Sequence, residues 1–438
     1  MNSRCYTPRM KPLSARKTTI LSVLDVGTSK VACLIARLMP AEPSEMLRGR
    51  THRCRILGIG HQRSVGLKGG AVIDMEQAEQ AIRMAVDSAE RMARVQVESV
   101  IVNVTGGRLG SHLYNANVRL NGKAVSEYDT HRVLEAAASC TAEQGRAVLH
   151  SLPNGFSVDS MSGIRDPKGM MGEELGATMH VVSSDAAAVR NLMLAVERCH
   201  LNIEAVVATP YAAGLSVLVD DEAELGCALV DFGGGTTTIG VFANGHLTHV
   251  DGFALGGNHV TTDIARGLTI RLSDAERLKT LYGSCMTSGS DDRETISVTN
   301  VGDDGAHPHH LPKSQLVRII KPRVEEILEL VRDRLKEAGF GPQAGRRLIM
   351  TGGASQLTGL PEAASRIISS QVRVARPLGI QGLPESAKNP AFAASVGLLV
   401  YPQVAGIEHF EPRRSGGYAA TGTDGYISRV GRWLKESF

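Results

Sequence analysis

The 438-residue chain is predicted to form a two-lobed α/β protein, and three observations carry that prediction. Two stretches about 200 residues apart repeat one order of residues: apolar strand, Asp, a turn rich in Gly and hydroxyls, apolar strand. Helical and strand-like patterns alternate between them. Apolar residues make up 42% and charged residues 21% of the chain, a composition that supports packed cores and excludes bulk disorder. A spacing of this size is too long for a solenoid repeat, so the duplication implies two similar lobes.

Along the chain, residues 1–17 are polar, basic and Pro-containing, and read as a disordered basic tail. Arg4, Arg9, Lys11, Arg16 and Lys17 all precede the first acid, so the net +3 originates in this tail and the rest is slightly acidic. A clustered cationic stripe able to neutralise several phosphates is missing, and no nucleic-acid partner is expected. The tail has no apolar core before a cleavage site, and the apolar run 20–38 is broken by Asp25, Lys30 and Arg37; neither a signal peptide nor a membrane-spanning helix is expected there. Seven scattered cysteines without a CxxC pair fit buried thiols, not a disulfide framework.

Residues 20–36 form the first predicted hairpin and 227–242 the second. Between them lie helical patterns at 75–94 and 185–199 and strand-like runs at 99–104 and 203–207. Residues 110–176 differ in character and end in the turn-rich run 163–172; they read as an inserted subdomain. Residues 253–345 read as a second insertion: helices at 257–271 and 273–282, a polar stretch over 284–312, and a long amphipathic helix over 314–338 ended by Gly339. Residues 18–109, 177–225 and 386–405 then make up the core of lobe 1, and 226–252 with 346–385 that of lobe 2. Residues 406–424, rich in Gly, Ala, Ser and Thr, read as a flexible linker.

Residues 425–438 place Tyr426, Ile427, Val430, Trp433, Leu434 and Phe438 in an arc of roughly 140° on a helical wheel. Arg429, Arg432, Lys435 and Glu436 fall on the other side. Basic residues opposite Trp and Phe, on a flexible tether, form the pattern of an amphipathic helix lying in an anionic membrane interface, with Arg429, Arg432 and Lys435 facing the headgroups.

The chemistry-bearing residues concentrate in the hairpin turns. Asp25, Gly27, Thr28, Ser29 and Lys30 in the first, and Asp231, Gly233, Gly234, Gly235, Thr236 and Thr237 in the second, suit phosphate binding: backbone N–H groups approach the phosphates and Lys30 adds charge. Asp25 and Asp231 would hold a hydrated Mg²⁺ through its waters. A third glycine turn, 351–354, follows an apolar strand. No GxxxxGK[ST], HExxH or GxSxG motif occurs, which removes support for a P-loop, a zincin helix or a nucleophile elbow. His307, His309 and His310, without Cys partners, receive no role.

The two Asp turns and the 351–354 turn, in this order, resemble the actin-like (ribonuclease-H-like) nucleotide-binding superfamily of sugar kinases, heat-shock chaperones and bacterial actins. The resemblance implies ATP as ligand, with Gly352, Gly353 and Ala354 at the nucleoside. Residues 275–279 resemble the superfamily helix whose acid and lysine touch the nucleoside, which maps onto Glu276 and Lys279. Within the superfamily, the segments 24–30, 163–172, 256–265, 275–283 and 322–326 and the terminal helix resemble the FtsA family of bacterial cell-division proteins. That resemblance implies that 110–176 is an FtsA-type subdomain serving self-association and signalling to other division proteins. It further implies that 253–345 docks the C-terminal peptide of FtsZ, with Arg323 and Glu326 as candidates, and that the terminal helix tethers FtsZ to the cytoplasmic face of the inner membrane at the division septum. Filaments on the membrane follow as an expectation, because joining weakly bound helices raises avidity.

Catalysis departs from the hydrolytic relatives. Thr209 stands where they carry a water-orienting Glu or Gln, and Thr238 where many carry an acid, so no catalytic residue is assigned and slow or absent turnover is expected. Two other readings remain at this point: a small-molecule, sugar-type kinase, which gives no reason for the terminal helix, and an actin-like adaptor of pilus or shape machinery. A heat-shock-type chaperone lacks its β-rich peptide domain, since about 30 residues follow Gln403.

Overall fold

A computed structural model describes residues 5–10, 13–42, 47, 49–106, 108–139, 144–301, 309–340, 347–368 and 371–409. The predicted membrane helix 425–438, nearly all of the predicted linker, and His307 lie outside the described residues.

Each lobe is built on a sheet with its hairpin at the centre. The first hairpin joins Thr19–Val26 to Lys30–Pro40, and the second joins Cys227–Phe232 to Thr237–Ala243. The strands of both are buried almost throughout, which explains their unbroken apolar runs. In both, the strand that carries the Asp takes a parallel neighbour on its other side: Ser99–Val104 beside Thr19–Val26, and Arg347–Thr351 beside Cys227–Phe232. The turns close alike, with Gly27 N–H donating to Lys30 O at 3.0 Å and Gly233 N–H donating to Thr236 O at 2.9 Å.

Lobe 1 is a six-stranded sheet whose outer strands are Asn202–Ala208 and Ile380–Gln381. The latter pairs with Cys54–Arg55, so part of the 346–385 segment expected in lobe 2 belongs to the edge of lobe 1. Helices Met75–Ala93 and Ala186–Glu197 begin at Asp74 and Asp185, whose carboxylates accept from the first free N–H groups. Lobe 2 is a five-stranded sheet covered by Gly257–Leu268, Leu272–Tyr282 and the long helix Lys313–Glu337, whose apolar stripe from Leu316 to Leu335 closes the core. The expected polar stretch before the long helix contains a small hairpin, Thr295–Val298 with His309–Pro312.

The inserted subdomain has its own sheet and helix Glu127–Ser139, with small cores such as that around Val133, Val158 and Leu175. Strand Glu174–Asp185 pairs with Gly110–Arg119 as far as Ser183 and with Arg146–Val158 as far as Asp185, so the sequence boundary at 176 cuts a strand and the unit runs to Asp185. Buried His180 fastens it to lobe 2: the Nδ1–H donates to Leu247 O at 2.8 Å, and desolvation pushes the imidazole down to about 3, so it stays neutral.

Two expectations about the chain ends need correction. Residues 5–10 and 13–17 are not a free tail: Cys5–Tyr6 runs parallel to Ala147–Val148, Thr7 Oγ1 donates to Val148 O at 2.8 Å, and Arg9 donates to Leu149 O at 2.7 Å. Of the tail cations, Arg9 finds backbone carbonyls of the insert, Leu149 O and Val148 O. Nor does the linker begin at 406, because Ala405–Ile407 is a short 3₁₀ turn and the Glu408 side chain is 1% exposed. Among the described residues one stretch, Pro390–Ile407, is long and apolar enough to cross a membrane, but 78% of it is buried inside the protein, where it is a core helix.

Cys33, Cys54, Cys199, Cys227 and Cys285 are free. Burial pushes the thiols of Cys33, Cys54, Cys227 and Cys285 up to about 12, which makes them unreactive packing groups.

Candidate functional site

The two hairpin turns and the third glycine turn meet around one cavity of about 550 Å³ between the lobes. Of the residues singled out in the sequence, Asp25, Gly27, Thr28, Ser29, Lys30, Asp231, Gly233, Gly234, Thr236, Glu276, Lys279, Gly352, Gly353 and Ala354 line it. Gly235 and Thr237 do not. Gly235 packs on Thr28 across the cleft, and Thr237 opens the next strand, where pleat alternation turns its hydroxyl to donate to Leu255 O at 2.8 Å.

Asp25 forms one carboxylate wall. Its Oδ1 accepts from Asn103 Nδ2 at 2.7 Å; its Oδ2 accepts from Ser395 Oγ at 2.6 Å and Lys30 Nζ at 3.0 Å. The Lys30 ammonium also lies 4.5 Å from the Phe392 ring centre, a cation–π contact that fixes its place. Asn103 and Ser395 escaped the sequence reading. An Asn inside the β-branched run 99–104 was the available signal, since an amide in a fully buried strand demands partners; Ser395, in a small-residue helix, gave none.

Asp231 forms the opposite wall. Burial first, and the Asp25 charge second, push its carboxyl up to about 7, while Lys30 pulls the other way. Two buried carboxyl groups thus share the charge of Lys30, an arrangement with a place for further positive charge. Among the described residues no three His, Cys, Asp or Glu side chains come together as a metal cage. The donor set suits a hydrated Mg²⁺ held through one or two carboxylates and shared with phosphates, not a dedicated protein site.

Loop spacing is close. A Cβ built at Gly234 would lie 1.7 Å from Ser29 Oγ, so any side chain there would force the two loops apart. Helix Gly257–Leu268 starts beside them, with its positive end at the cavity. At the other end Lys279 Nζ donates to Glu276 Oε2 at 2.7 Å and to Gly257 O at 3.2 Å, which ties the helix bearing both residues to the start of helix Gly257–Leu268.

The two threonines at the positions expected to hold a water-orienting Glu or Gln and an acid are not poised for chemistry. Thr209 Oγ1 donates to Val104 O at 3.0 Å and accepts from Asn103 Nδ2 at 3.2 Å, so its hydrogen-bonding capacity serves the floor of the cavity. Thr238 is 1% exposed, its Oγ1 has no partner among the described residues, and it does not line the cavity. Arg323 and Glu326 sit on the long helix, where Arg323 bonds both Glu326 and Asp263, the latter at 2.6 Å. The sequence pattern had not disclosed Asp263, which lies on a different helix.

A family profile described as "Cell division protein FtsA" matches residues 228–397, and one described as "SHS2 domain inserted in FTSA" matches 106–183. The chain is 53% identical over 433 residues to the cell division protein FtsA of Agrobacterium fabrum, with 98% of each chain covered. It is 32% identical over 422 residues to that of Escherichia coli, covering 95% of this chain and 97% of the other. Among solved structures, the PilM–PilN type IV pilus biogenesis complex superposes with a TM-score of 0.59 at 16% identity, covering 88% of this chain and 98% of that one. MreB5 of Spiroplasma citri bound to ADP superposes with a TM-score of 0.50 at 14% identity, covering 87% and 95%. These likenesses establish an actin-like α/β fold carrying an SHS2 insert.

Proposed function

Because this chain belongs to the FtsA family of cell division proteins, we propose that it binds Mg·ATP, polymerises on the cytoplasmic face of the inner membrane and tethers the FtsZ ring at the division septum. The observation that carries the nucleotide part is the convergence of both Asp turns, Lys30 and the 352–354 turn on one cavity. The ADP named for MreB5 of S. citri, on the same fold, agrees with it. In this reading Asp25 and Asp231 hold the hydrated cation, which screens phosphate charge. The backbone of both loops and Lys30 hold the phosphates, and Glu276, Lys279, Gly352, Gly353 and Ala354 hold the nucleoside.

The nucleotide acts as a ligand that favours the assembling state, not as a fuel. Thr209, tied to Val104 and Asn103, is not free to orient an attacking water. ATP turnover by the purified protein should be on the order of 10⁻² per second or slower. Phosphate release measured at saturating ATP checks this; many turnovers per second would refute it.

Residues 253–345 are proposed to receive the C-terminal peptide of FtsZ near Arg323 and Glu326, and the SHS2 insert to serve self-association and later division proteins. The membrane part rests on residues 425–438, whose net charge of +2 and six apolar side chains give a single helix only reversible binding to anionic lipid. Filament formation supplies the missing avidity, about 10² to 10⁴. The only tryptophan, Trp433, lies in that segment and makes the test direct. Anionic liposomes should shift its fluorescence to the blue, more so with ATP present. An unshifted spectrum would withdraw the membrane role while leaving the nucleotide fold in place.

A further inference from the structure

His150, on strand Arg146–Val158 of the insert, is fully buried and joins the floor of the nucleotide cavity to the last described turn of the chain. Its Nε2 accepts from Ala208 N–H at 2.9 Å. An imidazole nitrogen that accepts carries no proton, so the ring is neutral with its proton on Nδ1, and that N–H donates to Glu408 Oε1 at 2.9 Å. The contact is a hydrogen bond to a carboxylate, not an ion pair. Ala208 directly precedes Thr209, whose hydroxyl is bonded to Asn103, which in turn donates to Asp25. A continuous path of bonds therefore runs from Glu408 through His150, the 208–209 backbone and Asn103 to the carboxylate expected to face the cation.

At the other end of the path the Tyr401 hydroxyl also bonds Glu408. His409 N–H donates to Ser151 O at 3.0 Å, and the His409 ring stacks edge-on against His131 at 5.2 Å. Yet among the described residues Glu408 Oε2 and His409 Nε2 are buried without a partner, which weakens the hold on this turn. Tyr211 and Tyr401 wall the imidazole in, with ring centres 4.9 and 5.9 Å away, so His150 has no room to find another acceptor if Glu408 leaves. A side chain that must stay in place and a chain segment that can leave it make a coupling element.

We propose that Glu408 is a positioning residue for the nucleotide site: through His150 it fixes the Ala208–Thr209 backbone, so nucleotide binding and docking of residues 405–409 favour each other. The inference rests on the nucleotide reading above and goes beyond it by linking the phosphate floor to the point where the chain leaves the core. Coupling is reciprocal, so each event must strengthen the other by the same factor.

The test uses the full chain. Glu408→Ala should weaken ATP affinity about tenfold. Glu408→Gln, which keeps a carbonyl for the Nδ1–H, should stay within twofold of wild type. In the wild type, saturating Mg·ATP should slow amide hydrogen exchange in the 404–409 peptide by about the same tenfold, a response that a merely structural Glu408 would not produce. Unaltered affinity in Glu408→Ala, equal loss in both variants, or exchange at 404–409 indifferent to ATP would each overturn the proposal. Failure of the wild type to bind ATP at all would overturn the nucleotide reading and this inference with it.

Discussion

Asp231→Asn should make the nucleotide-free protein more stable at pH 8 by roughly 3–4 kcal/mol and flatten its loss of stability between pH 4 and pH 8. The carboxyl titrates at about 7 in the folded chain against an ordinary 3.8, with burial the main cause and Asp25 the second. Between those two values the folded state holds a proton that the unfolded chain has released. Stability therefore falls as pH rises through that window, and above about 7 the full cost of a buried, like-charged carboxylate is present. Each tenfold difference in proton affinity is about 1.4 kcal/mol, which sets the size of the effect. Asparagine carries no charge to bury, so its gain should vanish near pH 4. Urea unfolding from pH 4 to 8 measures it, and parallel profiles for variant and wild type would refute the assignment. The same variant should lose most of the Mg²⁺-dependent part of ATP affinity, because a cation needs the ionised form; stability and binding are expected to move in opposite directions.

Gly352→Ala should weaken ATP binding by at least tenfold and destabilise the protein by about 3 kcal/mol. Gly352 has φ +87°, a left-handed conformation that costs an L-residue roughly 1–2 kcal/mol. A Cβ there would lie 2.2 Å from Asp231 Oδ1 and 2.5 Å from Phe232 O, inside the wall of the phosphate site. Relief requires the 352–354 turn to move away from the second hairpin, which separates the halves of the cavity proposed to hold nucleoside and phosphates. Gly353→Ala is the control, since its Cβ would meet nothing nearer than Ala391 at 3.6 Å; its stability should stay within about 1 kcal/mol of wild type. Equal stability of the two variants would show that the close approach at Gly352 does not constrain the turn.

The duplicated hairpins and most of the turn residues that line the cavity were legible in the sequence because they are local. An apolar run, an Asp and a glycine turn are written in consecutive residues, and the long helix announces itself by its stripe from Leu316 to Leu335. The SHS2 insert was placed but cut short at 176, because strand Glu174–Asp185 continues across the boundary without any change of pattern. The family resemblance drawn from the motifs agrees with the profile matches and the 53% identity, and the kinase reading loses its ground with them.

What the sequence by itself determined is therefore the kind of protein: a duplicated actin-like fold with two Asp-bearing turns and an FtsA-type insert. The tertiary structure alone decided which groups complete the site. Asn103 and Ser395 reach Asp25 from positions 78 and 370 residues away. Glu408, which looks like the start of a linker, is a buried acid because His150 waits for it 258 residues earlier in the chain. Such partners are chosen by distance in space and by the high cost of leaving a buried polar group unpaired. That cost attaches to burial, which only the folded chain defines.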